Sequence, residues 1–164
     1  SHSVMLDTSF CIRLLNPEDK LHFNAKNYFK YFLEHNIVMK LSTIAVAEYC
    51  AGGSIKELPL EKVRIVPFNI DHAEKAGKFA KIIFQKNNLT QDKLKPRAII
   101  PNDTKLFAQT DLEATVTHFV TCDVECQRIF KMLKAETKVN FDIIDINTPY
   151  NEVFGKLNLE FEPE

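Results

Sequence analysis

Short apolar runs alternate with longer amphipathic stretches along this chain. Val4-Met5-Leu6 is the first run, and it leads straight into Asp7-Thr8-Ser9. Such a run predicts a buried strand. The residues after it are the types whose side-chain oxygens take the free N–H groups of a helix's first turn. Phe10, Leu14 and Leu15 continue as a helix that ends near Asn16-Pro17. Glu18 to His35 has helical periodicity, with Leu21, Ala25, Tyr28, Phe29 and Phe32 on one stripe, and Asn36 stops it.

The pattern then repeats. Residues 37–41 (Ile-Val-Met-Lys-Leu) predict a second strand, Ser42-Thr43 a second junction, and Ile44 to Ala51 a helix closed by a left-handed cap at Gly52-Gly53. Val63 to Val66 is short and β-like. A helix follows from about Asp71, with Ala73, Ala76, Phe79, Ala80, Ile83 and Phe84 apolar, to Asn87-Asn88. Leu89 to Pro101 is irregular. Pro101-Asn102-Asp103 opens another helix, and Phe119 to Cys122 is an apolar run ending at Asp123. Val124 to Lys134 reads as helix and Phe141 to Ile146 as a late strand. Strands alternating with helices predict an α/β protein, a three-layer α/β/α sandwich with a mostly parallel central sheet. One domain over residues 4–150 accounts for the pattern. Ser1-His2-Ser3 reads as a scar outside the fold, and residues 151–164 as an acidic, loosely packed tail.

Composition narrows the classes. The 164 residues suffice for one core, and 13 Phe supply aromatic bulk where Trp is lacking. A net charge of −1 excludes a global basic field, so any nucleic acid must be held by a local patch or by metal ions. Cys11, Cys50, Cys122 and Cys126 form no C-x-x-C pair and read as reduced thiols of a cytoplasmic protein. His118 with Cys122 and Cys126 is not a zinc pattern, because a strand and the turn after it give i, i+4 spacing no meaning. No signal peptide and no run near the ~20 residues of a membrane span are expected.

The chemistry lies in the acids. In a parallel sheet the strands' carboxyl ends share one edge, where ligands bind. Asp7 and Asp123 follow strand ends. Glu48 and Asp103 lie near helix starts that open on the same edge, and Glu48 can lean back toward the strand end. Two carboxylates 4 Å apart repel by roughly 4 kcal/mol at an effective dielectric of ~20. A divalent cation removes that cost, and oxygen ligands favour Mg²⁺ or Mn²⁺. Such ions support phosphoryl displacement. His22, His35, His72 and His118 have no triad pattern. A haloacid-dehalogenase-like phosphatase needs a second aspartate where Ser9 stands, and a receiver domain needs adjacent acids. Lys93, Lys95, Arg97 and Lys105 are candidate phosphate contacts.

These segments together resemble the PIN-domain nucleases, and among them the chain is similar to compact VapC-type toxin ribonucleases. The likeness runs from Val4–Ser9 through Ser42–Glu48 and Pro101–Asp103 to Phe119–Asp123. It implies metal-dependent RNA cleavage, with Asp7, Glu48, Asp103 and Asp123 holding one or two Mg²⁺ or Mn²⁺ ions. It also implies that the Thr121 hydroxyl orients a carboxylate or water. A small antitoxin partner and a homodimer are further implications. Two features depart from the family pattern. Thr104, Lys105 and Phe107 intrude where small apolar residues usually follow the third acid, and Val124-Glu125-Cys126 lacks the usual phenylalanine. The alternative is a non-catalytic PIN-like module that binds RNA or protein.

Overall fold

The computed structural model describes residues 2–86 and 99–161, with side chains as far as Gly155. Elements run in the order β1 (Ser3–Leu6), α1 (Thr8–Leu15), α2 (His22–Glu34), β2 (Val38–Ser42), α3 (Thr43–Cys50), a 3₁₀ turn (Ile55–Glu57), β3 (Arg64–Val66), α4 (Ile70–Lys86), α5 (Asn102–Leu112), β4 (Val116–Thr121), α6 (Val124–Glu136), β5 (Asp142–Asp145) and α7 (Tyr150–Phe161). Among the described residues the strands form one sheet ordered β3-β2-β1-β4-β5, and every pairing is parallel.

Strand alternation divides the core. Val4 and Leu6 face a cluster with Phe10, Tyr28 and Phe32, whereas Met5 faces Phe79, Phe107, Phe119 and Phe130 on the other side. Helices therefore cover both faces, as an all-parallel sheet requires. The Phe107 ring lies 5.3 Å from Phe119 and 5.7 Å from Phe130, both edge-on. Each such pair adds roughly 0.5–1.5 kcal/mol beyond its burial.

The strand order places the site. From β1 the chain steps to β2 and β3, then returns through α4 and α5 to β4 on β1's other side. The helices after β1 and β4 leave to opposite faces: Phe10 of α1 joins one cluster, and Ile129 and Phe130 of α6 the other. A crevice opens where such neighbours part, at the carboxyl ends of β1 and β4.

Four expectations need correction. Ser3 belongs to β1, where it pairs with Val38 and Val116, and its Oγ lies 2.8 Å from Thr115 Oγ1. The helix expected from Glu18 begins at His22, because Asn16, Asp19 and their neighbours form turns closed by side-chain caps. Among the described residues no glycine has positive φ, so α3 does not end in a left-handed cap; Ala51 stays right-handed. Gly53 is needed for close approach instead, since a Cβ there would stand 2.7 Å from Tyr49 Cε1. Asn36, at φ 54°, does stop α2 in the left-handed region.

The fourth concerns the tail. Residues from Tyr150 form α7, seated on α2 by aromatic contacts. Phe154 is 2% exposed and stacks on Tyr31 at 3.8 Å with an interplanar angle of 4°. The Tyr28 hydroxyl donates to the Thr148 carbonyl just before the helix. Phe154→Ala is expected to cost about 3 kcal/mol, as large-to-small core changes do. Urea unfolding checks this, and a cost below about 1 kcal/mol would mean that α7 does not belong to the cooperative fold.

Candidate functional site

Asp7 is the residue on which the edge is built. Its N–H donates to the Val120 carbonyl at 2.9 Å, which fixes it beside β4. Its extended backbone makes it the N-cap of α1, with Oδ1 accepting the Thr8 N–H at 2.9 Å. Oδ2 accepts the Ser9 hydroxyl at 2.7 Å and the Thr121 hydroxyl at 2.8 Å. Both hydroxyl protons are thus committed to Asp7, so the 3.3 Å approach of Ser9 Oγ to Thr121 Oγ1 carries no third bond. Burial pushes the Asp7 carboxyl up. The Ser9 and Thr121 hydrogen bonds pull it down, and the charge of Glu48 pushes it up again.

Thr121 also organises the last acid. Its Oγ1 accepts the Asp123 N–H at 3.0 Å, while Ser9 Oγ accepts the Cys122 N–H at 3.3 Å. Asp123 in turn caps α6, taking the Glu125 and Cys126 N–H groups on Oδ1 at 2.8 and 3.3 Å. The helix dipole favours an anion at that end. Glu48, one and a half turns into α3, reaches back as the lean of helical side chains requires. Its Oε1 accepts the Thr8 hydroxyl at 2.9 Å.

Asp103 differs from the other three. It stands in the first turn of α5, half-buried, and among the described residues its side chain makes no hydrogen bond. Burial is the largest influence on it, followed by the charges of Asp7, Asp123, Glu48 and Glu125. Together they push its carboxyl up to about 7, and no cation is among them. The charges of Asp7, Glu48 and Asp123 therefore all reach Asp103. The four acids do not close into a ready-made metal cage: among the described residues no group of three or more His, Cys, Asp or Glu side chains is spaced to hold an ion.

Of the basic candidates, Lys105 is half-buried and donates to Asn102 Oδ1 at 3.5 Å, a long bond. Lys93, Lys95 and Arg97 lie outside the described residues. Ser9 and Thr8 are the positioning groups that strand-and-acid reasoning passes over. Their signal is the pair of hydroxyl residues directly after the strand-ending acid. The thiols of Cys11, Cys122 and Cys126 are buried and that of Cys50 is exposed, all unpaired. Burial pushes Cys126 well above the usual thiol range, with the Asp7 and Asp103 charges adding to it. No helix among the described residues is long and apolar enough to cross a membrane.

No family model matches the chain, and no curated protein does. Solved structures do. One is a chain of DNA-bound VapBC from Salmonella typhimurium, 16% identical, covering 89% of this chain and 99% of its own, with a TM-score of 0.57. Another is Mycobacterium tuberculosis VapC20, described as a toxin that cleaves the sarcin-ricin loop. It is 18% identical, covers 77% of this chain and 94% of its own, and has a TM-score of 0.50. Identities this low speak to the fold, and the fold of this chain is the PIN-like fold of those toxin structures.

Proposed function

We propose that this chain is a divalent-metal-dependent endoribonuclease, the toxin of a toxin–antitoxin pair. Asp103 carries the reading. Asp7 and Asp123 have structural duties as helix caps, but Asp103 bonds to nothing described and is held against the repulsion of its neighbours. A half-buried acid that neither caps nor pairs, set against the charges of Asp7, Glu48 and Asp123, is explained by a ligand that needs its charge.

The donor set suits Mg²⁺ or Mn²⁺. Asp7, Glu48, Asp103 and Asp123 offer oxygens alone, and no cation offsets Asp103. An ion that keeps several waters and takes only one or two carboxylates directly needs no closed cage. When bound, it supplies the positive charge that lets a phosphodiester approach the acidic edge and polarises it. The chain's own residues do the rest. Ser9, Thr121 and the Thr8 N–H fix the orientation of the Asp7 carboxyl, and the α6 N-terminus holds Asp123. Thr8 steadies Glu48 at the same edge. Attack by water would form a new P–O bond and break the bond to the 3′ oxygen; the water's proton would pass to the carboxylate edge, and the departing 3′ oxygen would take up a proton from solvent to leave as a hydroxyl.

RNA is then the substrate, a small antitoxin the partner, and a homodimer in the cytoplasm the working form. Lys105, Lys93, Lys95 and Arg97 would meet phosphates. End analysis of the cleaved RNA tests the chemistry. Water attack leaves 5′-phosphate and 3′-hydroxyl ends; 2′,3′-cyclic phosphates would assign the attack to the RNA's own 2′-hydroxyl and remove the acids from that role.

A further inference from the structure

Helix α2 turns its apolar stripe inward and carries one aromatic ring on the opposite side. Ala25, Tyr28 and Phe32 form the buried stripe. Phe32 lies about two and a half turns beyond Phe23, so the two rings leave the helix in opposite directions. Phe23 is 72% exposed, and among the described residues no other ring packs on it. Core packing therefore gives it no role.

Its surroundings are basic. Lys26 is its helical neighbour one turn on, and Lys20 stands in the turn that opens the helix. Both are exposed, and among the described residues neither forms a hydrogen bond or a salt bridge. Of the acids nearby, Asp19 is committed to Arg13 at 2.6 Å and Glu34 to Lys30 at 3.8 Å, which leaves Glu18 alone uncommitted. The patch lies on the edge that carries the candidate acids. The Thr121 carbonyl accepts the Ile146 N–H at 3.0 Å, and the Ile146 carbonyl accepts Asn24 Nδ2 at 3.0 Å. Two hydrogen bonds thus tie the start of α2 to the residue whose hydroxyl holds Asp7.

An exposed ring between two uncommitted lysines suits a nucleic-acid single strand. Every base offers a π-face to the ring, and its backbone brings phosphates to the lysines. A duplex keeps its bases stacked on one another and leaves the ring unused. We propose that the start of α2 is a docking platform for single-stranded RNA, where a base of the strand outside the acidic crevice stacks on Phe23 and the adjoining phosphates meet Lys20 and Lys26.

The strand's destination rests on the ribonuclease reading, but binding without turnover tests the platform. The chain has no Trp, so Phe23→Trp adds its sole indole, at a position exposed enough to spare the fold. With excess chelator present, a short single-stranded oligoadenylate is expected to quench that indole's emission. Labelled copies of the same RNA should bind Phe23→Ala about tenfold more weakly than the wild type. Replacing Lys20 and Lys26 together by Ala should reduce the slope of log Kd on log salt concentration by about 1.4. Absence of quenching, or an unchanged Kd for Phe23→Ala, would overturn the proposal. So would equal quenching by oligoglutamate, which would make the patch a seat for an acidic peptide, or quenching that follows protein concentration without RNA, which would make it a contact between copies. Metal-dependent cleavage with no RNA at Phe23 would strike the platform and spare the ribonuclease reading. Quenching in a protein that cleaves no RNA would do the reverse.

Discussion

Asp103→Asn is expected to reduce RNA cleavage by about 10³-fold or more, in line with the removal of a group that stabilises transition-state charge. The same change should make the cation-free protein more stable. The amide keeps the shape of the side chain and removes the charge that Asp7, Glu48, Asp123 and Glu125 repel. Asp103 has no described hydrogen bond to lose. A carboxyl raised from 3.8 to about 7 is disfavoured when ionised at neutral pH. Discounted for solvent screening at this half-exposed group, the gain is about 1–2 kcal/mol. Activity lost while stability is gained marks a residue kept for function. A variant that cleaved normally would remove Asp103 from the mechanism, and one that unfolded would give it a structural duty.

Stability of the cation-free protein should fall as pH rises from about 4 to about 7. The sign follows from Asp103. Unfolded, its carboxyl ionises near 3.8; folded, near 7. Between those values the folded state binds more protons, so each rise in pH favours unfolding. Asp7, also raised by burial, acts in the same direction. The stabilising contribution is thus complete below about pH 4 and gone above about pH 7. Mn²⁺ should reverse this at neutral pH by binding the ionised folded state, adding about 2.7 kcal/mol at a hundredfold excess over its dissociation constant. Asp103→Asn should flatten both the pH slope and the Mn²⁺ effect. Thermal unfolding at several pH values, with and without Mn²⁺, reads all three. Stability rising from pH 4 to 7 would contradict the charge arrangement.

The placement of the candidate acids is partly legible in the sequence. Apolar runs ending in an acid located Asp7 and Asp123. The lean of helical side chains accounted for Glu48 reaching the strand edge, where Thr8 holds it. These are local signals. The strand order is not local: Val4 and Leu41 look alike as strand residues, and only long-range pairing puts β1 at the centre. Helix α7 was hidden for another reason. Gly155 in a helix interior costs about 1 kcal/mol, and the acids after it suggest solvation, so the segment has little helical preference of its own. Packing of Phe154 on Tyr31 outweighs that, and packing cannot be read from residue order. Gly52-Gly53 misled because glycine also serves close approach, here to the Tyr49 ring. Ser9 and Thr8 read as cap residues. That their hydroxyls face Asp7 and Glu48 emerged only with the crevice at β1 and β4.

The most direct test is cleavage of a mixed set of labelled RNAs by the wild-type protein and by Asp103→Asn, each with Mn²⁺, with Mg²⁺ and with excess chelator. Cleavage by the wild type alone, and only with the metal present, is the result this account predicts. Cleavage that survives the chelator, or that Asp103→Asn retains, would contradict it.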